Sequence, residues 1–298
     1  MNRKVRNSMI AVCIGMILLG AVLLVEAVFG ISESRQIASA DYFSGNITIG
    51  SVSTSNESMQ EVLAMEKQQS LLNSSEQIRY IENNRELFPE ELLDLIERNV
   101  ETVDFVYHYP ELTRKGTDPE QTALQEKLTE NEKTDPHPLL LQWDNRWGAM
   151  PYGKSMIALS GCGPTCLAMV INGLVDDLDV TPAEVARFAT DNHYYLENQG
   201  TAWALMSDGC KHYGLRASEI GVDEEKMIQK LEEGCMLICS VKKGDFTDVG
   251  HFIVIYGYED GWFEINDPNS ISNSSARWKY DRLEGQIRHI WAMSEADT

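Results

Sequence analysis

Basic side chains are scarce in this sequence. It contains 25 lysines and arginines against 46 aspartates and glutamates, which gives a formal net charge of −21. Nucleic-acid backbones are bound by clustered basic residues, and no such cluster is evident. A nucleic-acid partner is therefore excluded. The acidity is interpreted as a source of solubility, with steering of a basic substrate left open.

Cysteine is scarce as well. Six cysteines in 298 residues are too few for a disulfide scaffold, and none shows the paired CxxC spacing of a zinc site. Cys13 lies in an apolar run, and the others are Cys162, Cys166, Cys210, Cys235 and Cys239. These five cysteines are an odd number, so at least one thiol stays unpaired even if two disulfide bridges form. We therefore expect a free, reactive cysteine and no metal or other cofactor.

One long apolar run stands near the N-terminus, at residues 9–31, interrupted by Glu26. Its length matches the roughly 20 residues that a helix needs to cross a bilayer. Basic residues precede the run, so the positive-inside rule keeps the N-terminus cytoplasmic and places the rest of the chain outside. The alternative is a signal peptide cleaved near Ala38-Ser39-Ala40, although the run exceeds the roughly 7 to 15 residues of a signal's apolar region.

Composition divides the rest of the chain. Ser, Asn and Glu dominate residues 32–75, which are predicted to form a flexible tether because few large apolar side chains are available for a core. Helical spacing and a helix start at Pro89 then predict a short helical segment, followed by a polar linker. Its aromatic residues Phe105, Tyr107 and Tyr109 are expected to pack on the next domain. The predicted organisation is a cytoplasmic tip and transmembrane anchor (1–31), a tether (32–75), a helical segment and linker (76–136) and a folded domain (137–298).

A Ser-Gly turn brings Cys162 to the start of an apolar helical pattern in SGCGPTCLAMV. The free N–H groups and the positive dipole end of a helix N-terminus favour a thiolate. Gly161 and Gly163 leave the sulfur approachable, and Pro164 is accepted in the first turn because its missing N–H has no helical partner to lose. Cys162 is therefore the predicted nucleophile.

A thiolate nucleophile needs a base, and the best candidate is His251 at the head of GHFIVIYGY. Residues 252–258 predict a strand, and residues 262–265 predict its partner across the turn Glu259-Asp260-Gly261. Asp267 follows the second strand and is expected to lie beside His251 across the sheet, where a carboxylate would orient the imidazole.

The other cysteines and histidines are interpreted as structural. Cys166 lies one helical turn beyond the nucleophile and is expected to face sideways or into the core. Cys235 and Cys239 flank an apolar strand-like run and are expected to be buried free thiols. His193 and His212 are expected at the surface or at helix ends, because neither is followed by a strand that ends at an acid.

Together these motifs resemble the C39-like peptidase family, a papain-related group, in the form of a membrane-anchored bacterial member. The resemblance covers residues 137–295 through QWDNRW, the following YG, SGCGPTCLAMV, GHFIVIYGY and NDP. It implies that Cys162 is the nucleophile, His251 the base and Asp267 the acid that orients it. It also implies that Gln142 donates to the oxyanion, together with the backbone N–H of the nucleophile.

The expected fold is α+β and papain-like, with a helical lobe over residues 160–230 and an antiparallel sheet over residues 235–293, preceded by the transmembrane helix and the short helical segment. The expected function is an extracytoplasmic, membrane-anchored thiol protease that hydrolyses peptide bonds of peptides or proteins through a thioester. Secretion after signal cleavage is the alternative location. Two other functions remain open, a cell-wall peptide amidase and a catalytically inactive peptide-binding module on the same fold.

Overall fold

The structure is a computed structural model, and it describes residues 72–114, 127–175 and 179–296. The predicted membrane anchor at residues 9–31 lies outside these ranges, as does the predicted tether up to residue 71. Within them, no helix is both long enough and apolar enough to span a bilayer. The chain divides into two compact units, residues 1–87 and residues 88–298.

The described part of the first unit is helical. Residues 72–83 form a helix (α1), and a 3-10 turn follows at Arg85–Leu87. The helix includes residues 72–75, which the sequence-based boundary had placed in the tether. Composition is a poor guide to such a boundary, because helical hydrogen bonding extends through polar residues once a helix has been nucleated.

The second unit opens with two helices and a 3-10 turn between them: α2 at Glu90–Arg98, the turn at Val100–Thr102 and α3 at Val103–Leu112. Pro89 precedes the first helix, as predicted. Phe105 is buried, and its ring lies so close to Gly148 that an added Cβ at that glycine would be 2.7 Å from the ring. The predicted packing is confirmed for Phe105, whereas Tyr107 and Tyr109 are half-buried.

A capped helical turn, Glu130–Thr134 (α4), occupies part of the predicted linker. The hydroxyl of Thr129 accepts from the backbone N–H of Glu132, and the Glu132 carboxylate accepts from the N–H of Thr129, which is a capping box. The same carboxylate accepts from Nη1 and Nη2 of Arg146 at 2.7 and 2.6 Å. Sequence pattern did not indicate this helix within the linker, because Arg146, which binds it, lies further along the chain.

The helical lobe is built around one apolar helix. Its elements are the strands β1 (Pro151–Tyr152) and β2 (Ser155–Met156), the helices α5 (Ile157–Ser160), α6 (Cys162–Leu174) and α7 (Pro182–Asp191), the strands β3 (Tyr195–Leu196) and β4 (Gly200–Thr201), the helix α8 (Ala204–Ser207) and a 3-10 helix (Gly209–Tyr213). Residues 163–171 of α6 are all buried, as expected for a helix that is apolar all round.

An antiparallel sheet of six strands forms the second part. The strands are β5 (Leu215–Ile220), β6 (Met236–Lys242), β7 (Gly250–Glu259), β8 (Trp262–Asn266), β9 (Arg277–Trp278) and β10 (Ile287–Glu295), in the order β5-β10-β6-β7-β8-β9. The predicted hairpin is confirmed: β7 pairs with β8. Asp260 and Gly261 take positive φ values of 53° and 79° between them, as a tight hairpin turn requires.

Both faces of the sheet are covered, which explains the uninterrupted apolar run of β6. Met236, Ile238 and residues of β7 and β10 pack against the helical lobe. Alternate residues such as Leu237 and Cys239 form a second core with the helices α9 (Glu224–Glu232) and α11 (Tyr280–Leu283); the helix between them, α10, spans Ile271–Ser275. Successive strand residues point to opposite faces, so both halves of the run are buried.

The predicted α+β fold, a helical lobe and an antiparallel sheet, is confirmed. Two details of the helical lobe differ. Residues 215–220 were predicted within it, but they form the edge strand β5, which pairs with β10. The helical pattern of residues 202–213 predicts one further helix, but these residues form two shorter helices that part near Gly209, where an added Cβ would lie 2.8 Å from the side chain of Leu205. Both differences depend on tertiary packing that local pattern does not encode.

Candidate active site

Cys162 is the first residue of the buried helix α6, as predicted, with Gly161 at the N-cap. The cysteine is half-buried, whereas the residues after it are buried. An added Cβ at Gly163 would lie 2.5 Å from the hydroxyl of Thr201, so the segment of β4 packs directly on the start of the helix. The glycine therefore permits a close approach beside the thiol.

His251 lies at the start of β7, opposite Val241 of the neighbouring strand. Its Nε2 is 2.7 Å from Oδ1 of Asp267, and the two side chains are 7% and 1% exposed. Nε2 must carry the proton of this bond because the carboxylate only accepts, which leaves Nδ1 as the free ring nitrogen. The Cys162 sulfur also acts on the imidazole, and both residues line the same groove. The structure thus brings together all three residues that the sequence predicted.

The surroundings of His251 favour its protonated form. Burial acts to lower the pKa of the imidazole, but the charge and hydrogen bond of Asp267, together with the Cys162 sulfur, outweigh it and raise the pKa to about 10. A histidine normally titrates near pH 6.5. At neutral pH this ring is therefore an imidazolium, the partner that a thiolate requires.

Asp267 is completely buried and held by five further hydrogen bonds, one of them from the backbone N–H of Ser270 to its carbonyl oxygen at 3.2 Å. Its Oδ1 accepts from the backbone N–H of Asn269 at 2.9 Å, and its Oδ2 accepts from Nδ2 of Asn273 at 2.8 Å. Ser274 accepts from the Asp267 backbone N–H at 2.8 Å and donates to its carbonyl oxygen at 3.3 Å. The carboxylate is thereby fixed in the orientation that meets His251. Sequence analysis did not identify Asn273 or Ser274.

Gln142 lies beside the same strand end. Its backbone N–H donates to the carbonyl of Pro268, and its side-chain Nε2 donates to the carbonyl of Ala158, both at 2.7 Å. The Nε2 group has two hydrogens, so one remains beyond the bond to Ala158. The side-chain oxygen of Gln142 is buried without a hydrogen-bond partner in the described part of the chain. Gln142 is thus attached to the residue that follows Asp267.

A groove of about 1170 Å³ joins these residues, and Gln142, Cys162 and His251 all line it. The volume exceeds the range of about 300 to 1000 Å³ that suits small ligands. Exposed apolar side chains stand along the groove, namely Leu196, Trp203 and Val249. The site is therefore large enough, and apolar enough at its rim, for an extended chain.

The remaining described cysteines are free thiols, and they are buried: Cys166, Cys210, Cys235 and Cys239. Burial raises the pKa of Cys166 well above its usual range and that of Cys210 to about 11. His193 is exposed at the end of α7, and His212 is exposed with its ring stacked on Phe188. Cys162 is thus the described cysteine that combines access to solvent with a histidine partner.

Two solved structures are similar to the chain. The peptidase domain of Streptococcus ComA, described as a bi-functional ABC transporter involved in a quorum sensing pathway, is 20% identical with a TM-score of 0.37, covering 46% of this chain and 92% of that one. A protein from Bacillus anthracis described as a C39-like peptidase is 15% identical with a TM-score of 0.35, covering 54% and 96%. At these values the likenesses carry no argument about activity. No curated protein matches the chain.

The sequence profile of the Peptidase_C39 like family matches residues 134–296, more than half of the 298 residues. The matched stretch begins shortly before the QWDNRW motif and ends one residue after β10, so it spans both the helical lobe and the sheet. It contains the nucleophile position Cys162, the paired His251 and Asp267, and Gln142. The chain therefore belongs to the Peptidase_C39 like family.

Proposed function

We propose that the protein is a membrane-anchored, extracytoplasmic cysteine peptidase that hydrolyses peptide bonds. Cys162 acts as the nucleophile, His251 as the base and acid, Asp267 as the residue that orients and charges the imidazole, and Gln142 as an oxyanion donor. Peptides or proteins at the cell surface are the substrates. Family membership supports this reaction class.

One observation carries the proposal: a buried imidazole lies between a buried carboxylate and a half-buried thiol at a helix N-terminus. The bond from His251 to Asp267 leaves Nδ1 for Cys162. A histidine with a purely structural role would not need an aspartate whose two carboxylate oxygens both accept hydrogen bonds on one side of the ring and an accessible sulfur on the other. This order of acid, imidazole and nucleophile is the one that activates a thiol.

In the first half of the reaction, the Cys162 thiolate attacks the carbonyl carbon of the scissile peptide bond. The carbonyl oxygen becomes an oxyanion, which the backbone N–H of Cys162 and the remaining N–H of Gln142 stabilise. The C–N bond then breaks, and the His251 imidazolium gives its proton to the leaving amine. The acyl group stays on the sulfur as a thioester.

In the second half, a water molecule gives a proton to the neutral His251 and attacks the thioester carbon. The C–S bond breaks, the carboxylic acid product leaves and the thiolate is restored beside the imidazolium. The buried Asp267 keeps the same ring nitrogen protonated throughout, because its carboxylate accepts from Nε2 in both states.

The membrane location rests on the apolar run at residues 9–31 and on the basic residues before it. Protease treatment of intact cells tests it: the domain is digested while the membrane-bound N-terminal fragment is retained. Deletion of residues 9–31 should leave the chain inside the cell and protected. Recovery of the full-length gene product as a cleaved, released domain would favour secretion instead.

Alkylation of the purified full chain by iodoacetamide tests the proposed nucleophile. Peptide mass spectrometry measures the rate at each cysteine in the wild type and in the Cys162→Ala and His251→Ala variants. We expect rapid labelling at Cys162 that is lost in the first variant and slowed strongly in the second. Cys235→Ala and His212→Ala are the matched controls. Cys235 is a buried cysteine, and His212 is an exposed histidine that is far from His251 in the sequence.

Slow labelling at Cys162 that does not depend on His251 would overturn the peptidase mechanism and favour a peptide-binding module. When labelling is rapid, cleavage of a peptide library identifies the substrate class. Activity confined to cross-linked peptides that contain D-amino acids would assign the amidase reaction in place of protein hydrolysis.

A further inference from the structure

The short helix α10 forms part of the setting of Asp267. It begins at Ile271, four residues after the aspartate, and its residue Asn273 donates from Nδ2 to Oδ2 of Asp267 at 2.8 Å. Ser274 of the same helix hydrogen-bonds both backbone groups of Asp267. The position of this helix therefore determines which way the carboxylate faces.

A helix this short is not stable on its own, because helix nucleation is unfavourable and few hydrogen bonds follow it. Its first N–H groups also lack partners within the helix. The side chain of Ser270 caps one of them, accepting from the N–H of Asn273 at 3.1 Å. Two more, those of Ile271 and Ser272, require acceptors from elsewhere in the chain.

Glu101 supplies those acceptors. Its Oε2 accepts from the N–H of Ile271 at 2.6 Å, and its Oε1 accepts from the N–H of Ser272 at 3.1 Å and from the hydroxyl of Ser270 at 3.2 Å. Glu101 belongs to the 3-10 turn between α2 and α3, about 170 positions earlier in the chain. A negative carboxylate at a helix N-terminus is favourable on charge as well as on hydrogen bonding.

The residue that caps this turn, Asn99, binds the same loop. Asn99 donates from Nδ2 to the carbonyl of Asn269, and Trp143 donates to that carbonyl from its indole nitrogen at 3.0 Å. The side-chain oxygen of Asn99 also accepts from the backbone N–H of Glu101 at 3.0 Å. Asn99 and Glu101 thus hold the start of this turn against the loop that follows Asp267.

We infer that Glu101 is a positioning residue for Asp267, so that the helical segment before the peptidase-like domain sets the geometry of the site. The connection runs from Glu101 to the start of α10, from Asn273 to Asp267, and from Asp267 to His251. The inference rests on the proposed function for its consequence in catalysis. The physical coupling of Glu101 to His251 is testable without any activity.

Glu101→Ala and Glu101→Gln variants of the full chain test this inference. The control is Glu97→Ala, which removes another carboxylate of the same segment that takes no part in these contacts. Three quantities are measured: the maximal rate and the half-saturating concentration for labelling of Cys162 by a peptidyl epoxide, the NMR titration of the His251 ring, and the thermal midpoint of unfolding.

For Glu101→Ala we expect the maximal labelling rate to fall about ten- to hundredfold, the range for a small misplacement of reacting groups, with little change in the half-saturating concentration. The His251 pKa falls by about one pH unit or more, because burial is no longer offset by a well-placed Asp267. Glu101→Gln keeps one acceptor oxygen and should lose less than Glu101→Ala. Glu97→Ala should match the wild type.

Equal effects of Glu101→Gln and Glu101→Ala would overturn the inference. Both variants remove the negative charge, so equal effects would show that Glu101 acts on His251 through its charge and not through the hydrogen bonds that position the helix. Unchanged titration and labelling with a lower thermal midpoint would also overturn it and leave Glu101 a purely stabilising cap. An inert wild-type Cys162 would contradict the proposed function alone, because the titration of His251 still shows whether Glu101 positions Asp267.

Discussion

The backbone N–H of Gln142 donates to the carbonyl oxygen of Pro268 at 2.7 Å. This bond joins the QWDNRW motif to the residue directly after Asp267, although more than 120 residues separate them in the chain. The proposed oxyanion donor and the proposed orienting acid are therefore attached to one another through the backbone. This backbone bond fixes the two segments relative to one another, although the proposed roles of the two side chains differ.

Substitution of Gln142 separates hydrolysis from thiol reactivity. Loss of one oxyanion donor lowers the hydrolysis rate about 100- to 1000-fold in comparable sites, and we expect this for Gln142→Ala and for the near-isosteric Gln142→Glu. Alkylation of Cys162 by iodoacetamide should change little, since displacement of iodide creates no oxyanion. Steady-state cleavage and labelling rates measured on the same preparations check this. Unimpaired cleavage by Gln142→Ala would remove the residue from the oxyanion role.

Asp267→Asn should lower the reactivity of Cys162 at neutral pH. The neutral amide no longer offsets the burial that lowers the His251 pKa, so the imidazolium and its thiolate partner are lost. In the wild type, peptide cleavage needs the imidazolium as the acid for the leaving amine, so its rate should stay level as pH rises above 7 and fall towards the folded pKa of about 10. A pH series of labelling and cleavage rates measures both. Asp248→Asn, which alters an exposed acid lining the same groove, is the control and should keep the wild-type profile.

The same substitution should change the pH dependence of stability. A histidine whose pKa is raised on folding contributes stability fully below its ordinary value of 6.5 and loses it as pH rises through the folded value of about 10. The stability difference between wild type and Asp267→Asn should therefore be largest in mild acid and shrink towards alkaline pH. Denaturant unfolding at several pH values measures this. A difference that grows with pH would contradict the assigned ionisation.

Gly163→Ala should destabilise the protein despite the better helix propensity of alanine. The added methyl would lie 2.5 to 2.7 Å from three atoms of Thr201, and overpacking of this kind costs about 1–3 kcal/mol. Thr201→Gly in the same chain removes those atoms and should restore part of the loss. Gly285→Ala is the matched control, because no atom lies within 4 Å of its added Cβ. If denaturant unfolding shows no loss of stability in Gly163→Ala, β4 moves away from the added methyl group at little cost in free energy.

Glu132→Gln should destabilise the protein at neutral pH by about 1 kcal/mol, the typical net value of a hydrogen bond. Burial acts to raise the pKa of Glu132, but the hydrogen bonds from Arg146 and Thr129 outweigh it and lower the pKa. The stabilisation is present above the ordinary value of 4.5 and is lost as pH falls through the lower folded value.

Unfolding free energies of wild type and Glu132→Gln should therefore converge in acid. Glu130→Gln, which alters a highly exposed carboxylate of the same helix, is the control and should have little effect at either pH. A difference that persists in strong acid would show that Glu132 stabilises through shape and not through its charge.

The sequence predicted the parts of the site that depend on short-range rules. The helix start at Cys162 follows from the glycines and proline around it, and the β7–β8 hairpin follows from two strand-like runs on either side of Asp260 and Gly261. Sequence pattern did not indicate the elements that depend on a distant partner. The edge strand at residues 215–220 forms on β10, and the turn at residues 130–134 is held by Arg146.

What the sequence by itself determined is the local chemistry: a thiol at a helix N-terminus, a histidine opening a strand and an aspartate closing the next. Local backbone preferences and hydrophobic pattern suffice for these because each involves residues close together in the chain. Only the tertiary structure decided how Asp267 is held. Several asparagines and serines follow Asp267 in the sequence, and all of them could donate a hydrogen bond to its carboxylate. Folding brings Asn273 to that carboxylate. Folding also brings Glu101, from a distant helical segment, to the helix that carries Asn273.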